Sequence, residues 1–211
     1  MIKLKELLEL RNMVYAESVR PKDEKRMSRK LEIWDENLVL PKVTPPENDS
    51  SLTLKEVKFL ASVEPNPNFA ESNDDVVESF MELIEKNSLD ISRKDIKKIV
   101  KESVKFIMDL KYHYNRPRPY QIAEFYDIDL NGTTLDSMKT PSYPSGHAVQ
   151  GYLIGEYLAH KDPTNGEEYI GKGNDIAESR IIAKAHYPSD REYGRKIAKV
   201  LFRGMKKWFH K

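Results

Sequence analysis

Apolar positions along this chain recur at intervals of three and four rather than two, which predicts a succession of helices and few strands. Residues 1–15 mix apolar side chains with Lys3, Lys5, Glu6, Glu9 and Arg11, the pattern of an amphipathic helix. Residues 16–30 are polar and charged, fitting either a loose connection or a surface helix. Pro41, Pro45 and Pro46 remove backbone donors and make residues 38–51 a loop. Beyond it, Thr53 and Glu56 have capping-box spacing for a helix to about Ser62, before Pro65 and Pro67 break it. Ser72 with Asp75 opens a helix whose inner face is Val76, Val77, Phe80, Leu83 and Ile84. Ser92 with Asp95 opens another, with Ile96, Ile99, Val100, Val104, Ile107 and Met108 on one stripe. That helix should end near Lys111, because Pro117 and Pro119 impose an extended chain.

Ser145 is placed to cap a helix from Gly146 to about Ala159. Thr164 with Glu167 marks a further helix towards Ala185, weakened by Gly171 and Gly173. Ser189 with Glu192 starts the last one, which turns Tyr193, Ile197, Val200, Leu201, Met205 and Trp208 inward. The expectation is an all-α single domain over residues 1–211. It would be a compact helical bundle with its site in the core, an N-terminal helical extension over 1–35 and a motif core over about 92–209. No internal repeat or low-complexity segment interrupts it.

The chemistry concentrates in the second half. Lys111 is followed after six residues by Arg118-Pro119. Pro144-Ser145-Gly146-His147 follows. Ser179-Arg180 precedes His186 by five intervening residues, and Asp190 comes four after that histidine. Three cations from separate elements do not make one solvated face. Arginine forks and a lysine point charge match the tetrahedral oxygens of phosphate. Ser145 and Gly146 at a helix start add a hydroxyl and free backbone N–H groups, suited to an anion. Asp190 is close enough to His186 to bind one ring nitrogen and leave the other free to attack. His147, directly after the anion-binding turn, is placed to protonate a departing oxygen. His113 sits at no specified motif position and reads as a packing residue or one supporting the site. Arg116 is a register rival that lacks the six-residue spacing. His160 and His210 read as solvent-facing, and Lys196, Lys199, Arg203, Lys206 and Lys207 as the wet face of the last helix.

Together these clusters resemble the signature of the type 2 phosphatidic acid phosphatase superfamily, which includes bacterial class A acid phosphatases and vanadium-dependent haloperoxidases. The likeness is to the soluble class A enzymes. It is strongest from Lys111 to Arg195, through Pro-Ser-Tyr-Pro-Ser-Gly-His and Ser-Arg-Ile-Ile-Ala-Lys-Ala-His-Tyr-Pro-Ser-Asp, and reaches faintly to the Pro-rich loop around Leu40. It implies a helical bundle in which Lys111, Arg118, Ser145, Gly146 and Arg180 hold phosphate. His186 would be the nucleophile, Asp190 its orienting partner and His147 the general acid. It also implies hydrolysis of phosphate monoesters without a metal or other cofactor, with vanadate as an inhibitor, and a homo-oligomer as the assembly. Two alternatives stand beside it: a lipid-phosphate phosphatase acting peripherally, and a vanadate-dependent haloperoxidase. Class A enzymes look secreted and often carry cysteines near the Ser-Arg motif, where this chain has Ile182-Ala183-Lys184.

Composition narrows the rest. Lys+Arg 35 against Asp+Glu 34 leaves a net charge of +1, so no global field recruits nucleic acid. Any electrostatic function must be local, and a small phosphorylated molecule is the expected partner. No apolar run has the length of a membrane span. As the sequence stands it shows no signal peptide, which makes a cytoplasmic location the expectation, or a periplasmic or secreted one if a leader has been removed. The chain has no cysteine, so disulfide and thiolate chemistry are excluded.

Overall fold

The computed structural model describes residues 4–132, 135 and 138–206, which form helices and loops with no strand among them. In chain order the α-helices are α1 (Leu4–Asn12), α2 (Pro21–Met27), α3 (Ser51–Ser62), α4 (Pro67–Ser72), α5 (Val76–Lys86), α6 (Arg93–Tyr114), α7 (Pro119–Phe125), α8 (Gly146–Lys161), α9 (Gly166–Ile182) and α10 (Pro188–Gly204). The all-α expectation holds.

Helix α8 is the axis. Ala148, Val149, Leu153, Ile154, Tyr157 and Leu158 are all buried on it, covering more than one face, so it must be surrounded rather than merely docked. Helices α5, α6, α9 and α10 pack against it. The α8–α9 approach is closest, and glycine makes it possible: a Cβ on Gly173 would lie 2.6 Å from the Gly151 carbonyl oxygen, and one on Gly155 would lie 2.8 Å from that of Tyr169. Gly173, which weakens the helical pattern, is therefore what lets α9 seat. Gly171 faces open space.

Several helix starts differ from the sequence expectation. Ser50, not Thr53, caps α3 and accepts from the Thr53 N–H at 3.2 Å, while Thr53 and Glu56 are buried. Asp75 alone caps α5, and Ser72 closes α4, a short helix begun by Pro67 at its first turn. Ser92 and Asp95 form the expected box on α6, but the helix runs to Tyr114 and stops where Asn115 adopts φ 47°. Pro119 starts α7 rather than extending the chain further. A 3₁₀ turn, Pro163–Asn165, precedes α9. Pro188 opens α10, where the Asp190 carboxylate accepts from the Tyr187 N–H at 3.1 Å.

The described part of the N-terminal segment sends Leu10, Leu31, Ile33 and Trp34 into the core. Trp34 is fully buried, donates its indole N–H to the Leu201 carbonyl at 2.7 Å and meets Phe106 edge-on. Glu102 of α6 accepts from the N–H groups of Glu32 and Ile33, both at 2.8 Å. Leu10 joins a second cluster with Val57, Leu60, Ile122 and Tyr187. Burying side chains such as Leu10 and Ile33 contributes about 1.5–3 kcal/mol each. The basic side chains Lys196, Lys199, Arg203 and Lys206 are exposed, as expected. Trp208, His210 and Lys207 lie outside the described residues. No helix among the described residues is long and apolar enough to cross a membrane.

Candidate active site

His186 sits on the turn between α9 and α10, and two backbone bonds shape that turn. Arg180 O, in the last turn of α9, accepts from Ala185 N at 3.0 Å and from His186 N at 3.3 Å, and Lys184 takes φ 58° between them. The imidazole is then held from both sides. Its Nδ1 lies 3.0 Å from Asp190 Oδ2, and its Nε2 lies 2.9 Å from the Arg118 guanidinium. Arginine can only donate, so Nε2 is the acceptor and Nδ1 carries the proton donated to Asp190. Burial and the Arg118 charge push the His186 pKa well below its ordinary value, against the pull of Asp190. Both the lowered pKa and the Arg118 donor favour the neutral ring with an Nε2 lone pair.

Asp190 is wholly buried and saturated. Besides His186 it accepts from the Tyr187 N–H, from the Ser142 hydroxyl and from Arg116 at 2.7 Å. Burial alone would raise its pKa, yet the Arg116 charge and the His186 hydrogen bond hold it well below the usual carboxylate range. Arg116 also reaches Glu56 Oε2 at 3.2 Å and stacks its guanidinium 3.9 Å over the Tyr187 ring. Glu56 in turn accepts from the N–H and hydroxyl of Ser189. A continuous buried chain therefore runs Glu56–Arg116–Asp190–His186. Arg116, a mere register rival by spacing, is an anchor of the site. His113 is exposed and touches only the Tyr114 ring edge among the contacts described, so it supports nothing in the site.

Lys111, Arg118 and Arg180 come from α6, the start of α7 and α9. Lys111 is buried with its ammonium on the Pro141 and Ser142 carbonyls, and burial with the Arg118 charge pushes its pKa well down. Arg118 donates to Thr140 O at 2.8 Å and Ala185 O at 2.7 Å, and burial lowers its pKa to about 10. Arg180 donates to Asp74 Oδ1, between α4 and α5, at 2.5 Å and to Ala70 O of α4 at 2.8 Å.

Asp74 also meets His147. The His147 Nε2 lies 3.0 Å from Asp74 O and 3.4 Å from Asp74 Oδ1. Both partners only accept, so Nε2 carries a proton and Nδ1 is the nitrogen that gains and loses one. Burial and the Arg180 charge lower the His147 pKa, while the Asp74 hydrogen bond opposes them. The Asp74 carboxyl is held far below its usual range by the His147 hydrogen bond, against burial, and by Arg180.

A cavity of about 390 Å³ opens over these groups, and His186, His147, Lys111 and Gly146 line it together with Thr140 and Gln150. Arg118 and Asp190 lie beneath His186. Ser145 is fully buried as the cap of α8, its hydroxyl accepting from Ala148 N–H at 3.4 Å. A larger cavity of about 1030 Å³ adjoins Asp74 and Lys139 but is lined by none of the eight expected site residues. Among the described residues, no group of three or more His, Cys, Asp or Glu side chains is arranged to hold a metal ion. Spacing did not point to Glu56, Asp74, Thr140 or Ser142. The one available signal was the unpaired Arg116, which a buried position obliges to find carboxylates.

The chain is thus an α-helical bundle that brings an aspartate-anchored histidine together with buried cations from α6, α9 and the start of α7. Residues 99–211 match the PAP2 superfamily, more than half of the 211 residues, and the chain belongs to that superfamily. It is 33% identical over 93 residues to a non-specific acid phosphatase of Salmonella typhimurium, covering 44% of this chain and 36% of that protein. A non-specific acid phosphatase of Providencia stuartii is 32% identical over 90 residues, covering 42% of this chain and 35% of that one. The chain thus spans little more than a third of the length of these curated relatives. The crystal structure of a bacterial vanadium-dependent iodoperoxidase superposes with a TM-score of 0.57, over 81% of this chain and 52% of that one. At 17% identity that likeness shows the fold alone.

Proposed function

We propose that the protein is a metal-independent phosphatase that hydrolyses phosphate monoesters through a phosphohistidine on His186. The observation that carries this reading is how that ring is held: Nδ1 lies 3.0 Å from Asp190 Oδ2, which orients it, and Nε2 faces a guanidinium 2.9 Å away. In the first step Nε2 attacks phosphorus and the ester P–O bond breaks, while His147 Nδ1–H protonates the leaving oxygen. An incoming phosphate oxygen takes the Arg118 N–H that now meets Nε2. In the second step water attacks phosphorus, the P–N bond breaks and His147 accepts the water proton. Lys111, Arg118, Arg180 and the α8 N-terminus at Gly146 supply the charge that stabilises the phosphoryl transition state.

Two measurements test this. Hydrolysis of p-nitrophenyl phosphate should persist in EDTA and be inhibited by vanadate. Quenching during turnover should trap an acid-labile phosphoryl group on His186, and His186→Ala should abolish turnover with the helical content unchanged. Label on Ser145, or activity lost in EDTA and restored by a divalent metal, would overturn the mechanism.

A further inference from the structure

The cavity over His186 carries more positive charge than one phosphate needs. Arg20, Lys22, Arg26, Lys111 and Lys139 line it beside the two histidines, and no carboxylate does among the described residues. Acids and bases nearly cancel over the whole chain, 34 against 35, so this excess is local. Three of the five cations come from α2 and the residue preceding it, outside the 99–211 stretch that matches the superfamily.

Arg20 and Arg26 are held in place. Asp23, fully buried on α2, accepts from Arg20 at 2.7 Å, from Arg26 at 2.8 Å and from the Tyr112 hydroxyl of α6 at 2.8 Å. One carboxylate shared by two guanidiniums leaves the group positive, and Arg26 binds it through a single nitrogen. Lys22 is exposed, with no ion pair among the described residues. Val104, Ile107 and Met108 of α6 add an apolar strip to the same lining. At about 390 Å³ the cavity is near the lower end of small-molecule sites, roughly 300–1,000 Å³.

We propose that α2 forms a second anion subsite and that the substrate is a small organic bisphosphate. One phosphate lies over His186 and is hydrolysed, the other is held at the mouth by Arg20, Lys22 and Arg26, and a short carbon skeleton crosses the apolar strip. The identity of the hydrolysed end rests on the phosphatase reading above. The subsite itself rests on the charge lining.

The test compares fructose 1,6-bisphosphate with fructose 6-phosphate. For the wild type, kcat/KM should favour the bisphosphate by about tenfold at low ionic strength, with the preference fading as salt approaches about 0.5 M. Lys22→Glu, at an exposed side chain outside the packing, should bring the ratio near one. A wild-type ratio near one, or a ratio unmoved by Lys22→Glu, overturns the proposal. Calorimetry on His186→Ala, with and without Lys22→Glu, reads the same preference as binding. If neither sugar phosphate nor p-nitrophenyl phosphate is hydrolysed while the calorimetric preference stands, the phosphatase reading fails and the subsite survives. If hydrolysis proceeds and neither assay shows a preference, the subsite fails and the phosphatase reading survives.

Discussion

Arg116 and Asp190 meet at 2.7 Å with side chains 1% and 0% exposed, so neither charge has water to fall back on. Removing one partner of such a pair costs about 3–5 kcal/mol, because the survivor is left buried and uncompensated. Arg116→Ala also takes the cation from Glu56, which keeps its Ser189 hydrogen bonds, so urea unfolding should show a loss within that range. A loss below about 1 kcal/mol would mean the network relaxes freely. Asp74 supports a second prediction, about pH. Its hydrogen bond raises the pKa of His147 against burial and the Arg180 charge, so Asp74→Asn should lower it. A general acid works below its pKa, and kcat/KM reports the free enzyme. The alkaline limb for glycerol phosphate should therefore move to lower pH in Asp74→Asn, and an unmoved or alkaline-shifted limb would sink the idea. The proposed general-acid role of His147 is itself checked by leaving group: His147→Ala should slow the first step with glycerol phosphate by about 10²–10⁴-fold, and with p-nitrophenyl phosphate far less. The eight motif residues stood out in the sequence because their short-range spacing is written along the chain. Their partners did not, since Glu56 reaches Ser189 across 133 positions and Asp74 reaches Arg180 across 106.

At the scale of elements, the interior of α9 holds two glycines, Gly171 and Gly173, that the sequence cannot tell apart and the packing separates completely. Glycine in a helix interior costs about 0.5–1 kcal/mol relative to alanine. Gly171 has nothing within 4 Å of where a Cβ would stand, so Gly171→Ala should raise stability by about that amount. At Gly173 a Cβ would meet the α8 backbone at 2.6 Å, an atom that cannot swing aside. Overpacking of this kind costs about 1–3 kcal/mol, more than the propensity gain. Gly173→Ala should therefore lower the thermal midpoint while Gly171→Ala raises it. Shifts of the same sign in both would mean α9 moves off α8 at little cost. The same packing logic explains which helices could be read in advance. Long stripes on α5, α6 and α10 survive any tertiary arrangement, and α8 announced its start through Ser145. The short α4 and α7 begin at Pro67 and Pro119, where a proline read as a break serves instead as the first helical residue. The N-terminal segment reads as a helical extension over 1–35, yet its Leu31, Ile33 and Trp34 enter the core from a loop that no helical period announces.

Over the whole molecule, the site concentrates charge that the unliganded fold tolerates poorly. His186 and His147 both have pKa values below their ordinary range, chiefly through burial, and Lys111 is depressed by burial and by Arg118. For such bases the unfolded chain binds protons that the folded chain refuses. Stability then rises with pH, and it falls as pH drops below the unfolded histidine value of about 6.5. A bound dianion reverses this by favouring the protonated forms. An anion at about 100 times its Kd stabilises by about 2.7 kcal/mol, which at about 2–4 °C per kcal/mol for a chain of this size is a rise of roughly 5–11 °C. Sulfate suits the test, because its charge is constant across the range. Its midpoint shift, measured against chloride at matched ionic strength, should be larger at pH 5 than at pH 8. Sulfate also strengthens burial generally, so Arg118→Gln serves as the control: the general effect survives that substitution and the site effect does not. The acid-side slope of the unliganded protein should flatten in His186→Ala, since one refused proton has been removed. Equal sulfate shifts in wild type and Arg118→Gln, or a larger shift at pH 8, would show that the buried cations are not an anion site.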